Sequence, residues 1–148
     1  MIIAFSALAE SVFLRCRQQK YISIRRGSLE GDYNTLTTDE KIVVNDLLDQ
    51  GYNVELIPRN PEYQTPDFYV DGLITELKTL HGNSLNTPVT RIQDGFDQGA
   101  QIVIIDARYT NIGLSEAESI YMRAVGSYNG NLPGVVQIWT NDGAYLGG

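Results

Sequence analysis

The chain has one cysteine, Cys16, and one histidine, His81. A lone cysteine excludes an intramolecular disulfide and a four-cysteine zinc site. A lone histidine removes most zinc chemistry built on imidazole ligands. Hard cations such as Mg²⁺ are untouched by either scarcity, because they take carboxylate and carbonyl oxygens. Long apolar runs are missing as well. The apolar start, residues 1–14, has no basic residue before it and is interrupted by Ser6 and Glu10. It is too short to cross a membrane and reads as a packed N-terminal segment rather than a targeting signal, so no membrane partner is expected.

Basic residues are scarce, with 11 Lys and Arg against 18 Asp and Glu and a net charge of −7. Affinity for nucleic acid ordinarily rests on basic residues near phosphates, so this balance argues against passive attraction to a polyanion. The charge is uneven, however. Residues 1–30 carry Arg15, Arg17, Lys20, Arg25 and Arg26 against Glu10 and Glu30, which leaves that stretch at +3 and the other 118 residues at −10. What is present in ordinary measure is the material of one folded domain: 148 residues, 43% hydrophobic and 20% charged, without repeats or a linker.

Alternation over 20–26, with Ile22 and Ile24 on one side, predicts a short strand. Residues 27–36, rich in Gly, Asp and Asn, read as a loop. Ile42, Val43, Leu47 and Leu48 at helical spacing predict a helix over 38–50, stopped by Gly51. Strands are expected over 53–57 and 67–70, and Asp71-Gly72 is a two-residue hairpin signal leading to a return strand over 73–80. Thr87-Pro88 predicts an N-cap with proline at the first helical position, opening a helix to about 99 that Gly95 and Gly99 weaken. The apolar run over 101–107 predicts a strand buried on both faces. Ser115 with Glu118 forms a capping-box pattern opening a helix to about 125, and 135–140 is read as the last strand. A hairpin joined to helix-connected strands implies a mixed α/β sheet with helices on its faces. The expected organisation is an N-terminal extension, 1–36, followed by one domain, 37–148.

A hairpin turning on Asp71-Gly72 opposes Val70 to Leu73, Tyr69 to Ile74, Phe68 to Thr75 and Asp67 to Glu76. Opposed residues share a face, as do residues two apart. Asp67, Glu76 and Lys78 therefore fall on one face, and Phe68, Val70, Leu73, Thr75 and Leu77 on the core face. Like charges directly opposed are destabilising unless a raised carboxyl pKa, a nearby ammonium or a bound cation offsets them. Mg²⁺ held by one or two carboxylates and completed by water and phosphate oxygens suits this pair. Such a metal activates water and neutralises phosphate charge, with Lys78 placed to assist.

Pro66-Asp67 followed by Glu76-Leu77-Lys78, in α-β-β-β-α-β order over residues 37–107, resembles the PD-(D/E)XK nuclease superfamily. The resemblance implies a restriction-endonuclease-like core with an αβ extension. It also implies metal ligation by Asp67, Glu76 and the Leu77 backbone carbonyl, and a Lys78 that assists the attacking water. Glu40, on the first core helix, is the matching candidate for a further catalytic and metal-ligating carboxylate, although Thr37 and Glu40 also fit a capping box. Gln98 or Gln93 matches a glutamine that often follows the motif. Within the superfamily, the helix glutamate, Gly51 before the first strand and the Pro66-Asp67-Phe68 hairpin look most like CdiA-type contact-dependent growth inhibition toxin domains, which cleave transfer RNA. That likeness implies a Mg²⁺- or Mn²⁺-dependent endonuclease delivered as part of a secreted toxin and acting in the cytoplasm. Its substrate would be RNA, and a cognate immunity or inhibitor protein would be its partner.

A DNA endonuclease of the restriction, repair or junction-resolving kind is the alternative activity. A silent nucleic-acid-binding module of the same fold is the alternative outside enzymes, and the intact Asp–Glu–Lys set argues against it. Arg91 and His81 are weaker substrate-binding candidates. Arg91 lies in the first turns of a helix, whose N-terminus disfavours a cation unless it serves something, and His81 follows the motif strand. Glu55 and Arg59 are expected to pair along their strand.

Overall fold

The computed structural model describes residues 25–147. The N-terminal packed segment and most of the strand expected over 20–26 lie outside the described residues. Seven strands form one mixed sheet in sequence order: β1 (Leu29–Glu30), β2 (Val54–Leu56), β3 (Phe68–Val70), β4 (Leu73–Thr79), β5 (Ile102–Asp106), β6 (Val135–Thr140) and β7 (Gly143–Gly147). Three helices join them: α1 (Thr38–Asp49), α2 (Asn86–Asp97) and α3 (Leu114–Ser127). The pairs β1–β2, β4–β5 and β5–β6 are parallel, whereas β2–β3, β3–β4 and β6–β7 are antiparallel.

Alternation along the strands divides the interior into two layers. Phe68, Val70, Leu77, Ile102 and Ile104 pack with Val43, Val44, Leu47 and Leu48 of α1. Val103, Ile105, Val136 and Ile138 pack on the opposite face with Ile92 and Phe96 of α2 and Ile120 of α3. Every residue of β5 is buried, as its unbroken apolar run predicts.

The hairpin forms on the expected turn. Asp71 and Gly72 adopt φ of 47° and 82°, the left-handed pair required by a two-residue type I′ turn. The register follows, with Val70 against Leu73, Tyr69 against Ile74 and Phe68 against Thr75. Helix α1 also starts as read: the Glu40 N–H donates to the Thr37 hydroxyl at 3.3 Å and the Thr37 N–H to the Glu40 carboxylate at 2.7 Å.

Four local expectations are corrected. The 27–36 loop contains β1 and a 3₁₀ turn, Tyr33–Thr35, because Leu29 and Glu30 find parallel partners in Val54 and Glu55. Helix α2 opens two residues earlier than Thr87-Pro88 suggests, with Leu85 at its N-cap. Pro88 is tolerated there because the first-turn N–H groups have no partner within the helix. Helix α3 is capped at Gly113, whose N–H donates to Glu116 at 3.1 Å, instead of by Ser115 and Glu118. Finally, β6 is not the last strand, since β7 returns antiparallel to it.

Gly95 does not interrupt α2, which runs on to Asp97. A β-carbon at Gly95 would lie 2.7 Å from Val103 Cγ2 and 3.5 Å from Glu76 Cγ, so its absence lets the helix sit close on β4 and β5. Among the described residues, no helix is long and apolar enough to cross a membrane.

Candidate active site

Asp67 stands one residue before β3, and continuing the hairpin register by one step sets it against Glu76. The Leu77 N–H donates to Asp67 Oδ2 at 2.8 Å, which holds the carboxylate against the motif strand. A strand residue's N–H and C=O point to the same edge in an antiparallel pair, so the Leu77 carbonyl also faces the Asp67 side. Glu76 and Lys78 project to the α2 face, and Lys78 Nζ lies 2.5 Å from Glu76 Oε1. Glu76 is only 3% exposed, and its Oε2 is buried without a hydrogen-bond partner.

These groups form the floor of a cleft of about 440 Å³, to which Gln98 and Arg59 also contribute. The Asp67 carboxyl is pushed up from 3.8 to about 7. Burial is the main cause, followed by the Glu76 charge, with Glu40 adding; the Leu77 N–H and the Lys78 ammonium act in the opposite sense. The site is thus a carboxylate pair, Glu76 buried and Asp67 half-buried, with one compensating cation and one oxygen lacking a partner.

Among the described residues, no three His, Cys, Asp or Glu side chains gather as a metal cluster. Glu40 stands near enough for its charge to help raise the Asp67 carboxyl. It lines an adjoining recess of about 490 Å³ that also includes Asp67. Its Oε2 accepts the Thr37 N–H and its Oε1 accepts from Arg59 Nη2 at 2.5 Å. Arg59 accordingly pairs with α1 and not along its strand.

The donor set suits a hard divalent cation. Two carboxylates and a carbonyl directed to the same edge are oxygen ligands of the kind Mg²⁺ accepts with water in the remaining positions. The orphaned Glu76 Oε2 is an acceptor that such an ion or its water would satisfy.

The weaker candidates separate. Gln98, the C-cap of α2, lines the cleft, but its Nε2 donates to Gln64 Oε1 at 3.1 Å. Gln93 lies within α2 and is not among the residues lining the cleft. His81 is exposed, 2.9 Å from Asp39 Oδ2 and stacked on Tyr109 at 5.1 Å, outside the cleft. Arg91 is exposed on α2, with Asp94 3.9 Å away.

Sequence reasoning missed the wall of the cleft. Residues 59–65 line it, tied at one end to α1 through Arg59 and at the other to α2 through Gln64. The signal was present, since a proline-containing loop directly preceding Asp67 has to border whatever Asp67 does. A second network also escaped notice: Arg108 holds the fully buried Asp106 through two hydrogen bonds of 2.8 and 2.9 Å and reaches Asp46 at 2.6 Å.

The chain superposes on a chain of a CdiA-CT/CdiI toxin and immunity complex from Burkholderia pseudomallei with a TM-score of 0.57 and 17% identity. The match covers 81% of this chain and 98% of that one, and at this identity it is a likeness of fold. Comparison with curated proteins by sequence finds no match. The family described as contact-dependent growth inhibition CdiA C-terminal domain matches residues 64–144, which include Asp67, Glu76 and Lys78 as well as the wall residue Gln64. That match spans more than half of the chain, and the chain belongs to the CdiA C-terminal domain family.

Proposed function

We propose that the chain is a metal-dependent endonuclease of the PD-(D/E)XK kind, the toxic part of a contact-dependent growth inhibition protein, with RNA and transfer RNA foremost as substrate. The observation that carries this reading is the half-buried Asp67 set against the buried Glu76 beside Lys78, with Glu76 Oε2 lacking a partner in the cleft. A Mg²⁺ or Mn²⁺ ion held by Asp67, Glu76 and the Leu77 carbonyl would supply an activated water and neutralise phosphate charge.

The protein's own groups have distinct tasks. Asp67 is oriented by the Leu77 N–H, so its carboxylate is fixed before any ligand arrives. Glu76 is aimed by burial beneath α2, where Gly95 allows close approach. The Lys78 ammonium can donate to a water or to a phosphate oxygen as negative charge develops there. Glu40 and Arg59 act one step away, fixing the cleft wall.

The structural relative comes from a toxin and immunity complex. We extend that to a cognate immunity protein as partner here, and to delivery within a secreted protein acting in the cytoplasm of a target cell.

The test incubates the protein with transfer RNA, single-stranded DNA and plasmid in Mg²⁺, Mn²⁺ or EDTA. Cleavage should need the divalent ion and vanish in Glu76→Gln. Lys78→Met should lose at least 100-fold in rate while retaining the thermal shift that the ion confers. Cleavage in EDTA, or by Glu76→Gln, ends the metal-hydrolysis reading, while cleavage of DNA alone ends the RNA assignment.

A further inference from the structure

The cleft wall carries one side chain that packing does not explain. Tyr63 is 63% exposed, the most exposed of the large hydrophobic residues described. It lines the cleft that holds Asp67, Glu76 and Lys78, and also a recess of about 570 Å³ formed by the same loop with Ile57 and Pro58. An aromatic ring left in water at the rim of a polar cleft gives up the stabilisation that burial would bring.

The loop that carries it is anchored. Arg59 binds Glu40 at the N-terminus of α1, Gln64 accepts from Gln98 at the end of α2, and the Glu62 N–H donates to Asn60 Oδ1 at 2.8 Å. Both limbs are thus fixed to separate helices, and the tip presents Tyr63 from a braced position. The cleft's two cations are already engaged, Arg59 with Glu40 and Lys78 with Glu76. Among the described residues the cleft thus has no cation without an acidic partner, and an exposed ring offers stacking to any base whose face is free.

We propose that Tyr63 is a stacking platform for an unpaired nucleobase beside the scissile phosphate, so that the cleft takes single-stranded or looped-out nucleic acid in preference to duplex. This rests on the nuclease reading above and deepens it. A paired base keeps its faces covered by its neighbours, so a duplex has no face to offer the ring. Gln98, which holds Gln64, is by the same geometry a positioning residue for the wall.

The experiment measures kcat and KM in Mg²⁺, and binding by anisotropy in Ca²⁺, for single-stranded RNA, single-stranded DNA and the matching duplexes. Tyr63→Ala and Tyr63→Leu should weaken single-strand binding and raise KM by roughly 5- to 100-fold, with kcat at saturation retained. Tyr63→Phe and Tyr63→Trp should stay within about threefold of the parent by the same stacking criterion. Tyr109→Ala, an exposed aromatic outside the cleft, serves as the control that should change nothing. Unchanged single-strand kinetics in Tyr63→Ala would overturn the proposal, as would a Tyr63→Phe variant that loses as much as Tyr63→Ala. A parent protein that cuts nucleic acid indifferently to Tyr63 removes this inference alone. A parent that neither binds nor cuts any of the four, nor transfer RNA, removes the nuclease reading with it.

Discussion

Asp67 makes the apo protein's stability depend on pH in an unusual direction. Its carboxyl titrates near 7 in the folded chain against 3.8 in the ordinary state. Folding therefore takes up a proton between those values. The group costs nothing below about pH 3.8, costs progressively more as pH rises towards 7, and carries its full penalty above. The interval corresponds to roughly 4 kcal/mol, or on the order of 10 °C in Tm for a domain of this size. Asp67→Asn abolishes the titration, while its amide oxygen can still accept the Leu77 N–H that Asp67 accepts now.

Thermal melts in EDTA at pH 5.5 and 8 should show the parent losing several degrees more than Asp67→Asn over that interval. A divalent ion reverses the relation, because it needs the deprotonated carboxylate and competes with the proton. Saturating Mg²⁺ should raise Tm more at pH 8 than at pH 5.5. Parallel pH slopes for parent and Asp67→Asn would refute the proton assignment, and equal Mg²⁺ shifts at the two pH values would refute its competition with metal.

Two further variants test how the site is supported. Gly95→Ala puts a methyl 2.7 Å from Val103 Cγ2. Overpacking of about 1–3 kcal/mol should exceed the helix gain of about 1 kcal/mol, and Gly95→Ala/Val103→Ala should recover Tm and cleavage together; a stabilised single variant would contradict the close approach. Arg108→Met leaves the fully buried Asp106 charge unpaired and should cost about 3–5 kcal/mol in urea denaturation, most of it restored by adding Asp106→Asn; a loss under about 1 kcal/mol would show that Asp106 is held by something else.

The hairpin was legible because its turn chemistry is local. Asp71-Gly72 permits the left-handed conformations, the turn fixes the register, and the register brings Asp67 and Glu76 together without any knowledge of the remainder. The α1 start was legible for the same reason. Helix starts that depend on tolerance were not: Pro88 is accepted within the first turn of α2, and Gly113 caps α3 with no side chain of its own. Strand β7 was missed because Gly143 and Gly147 bound a segment, Ala-Tyr-Leu, too short to show alternation, which becomes a strand by pairing with β6. Glu40 illustrates a different limit. Capping and ligation call on the same carboxylate at the same position and need not exclude each other; the structure shows its two oxygens on Thr37 and Arg59.

The acidic composition looked like an objection to a nucleic-acid substrate, and the site explains how the two can coexist. A protein that grips a polyanion by many lysines binds through counterion release, and its affinity falls steeply with salt. Here the cleft cations are already matched, Lys78 by Glu76 and Arg59 by Glu40, so the cleft offers little unpaired positive charge of its own. In the proposed reading, a divalent ion at the Asp67–Glu76 pair would be the counter-charge for both protein and phosphate. The same ion that relieves the repulsion between Asp67 and Glu76 would give the substrate its electrostatic anchor. On the proposed reading, base contacts on the wall would add to what phosphate charge contributes, which is how a braced, exposed aromatic at residue 63 and an overall charge of −7 would belong to one design.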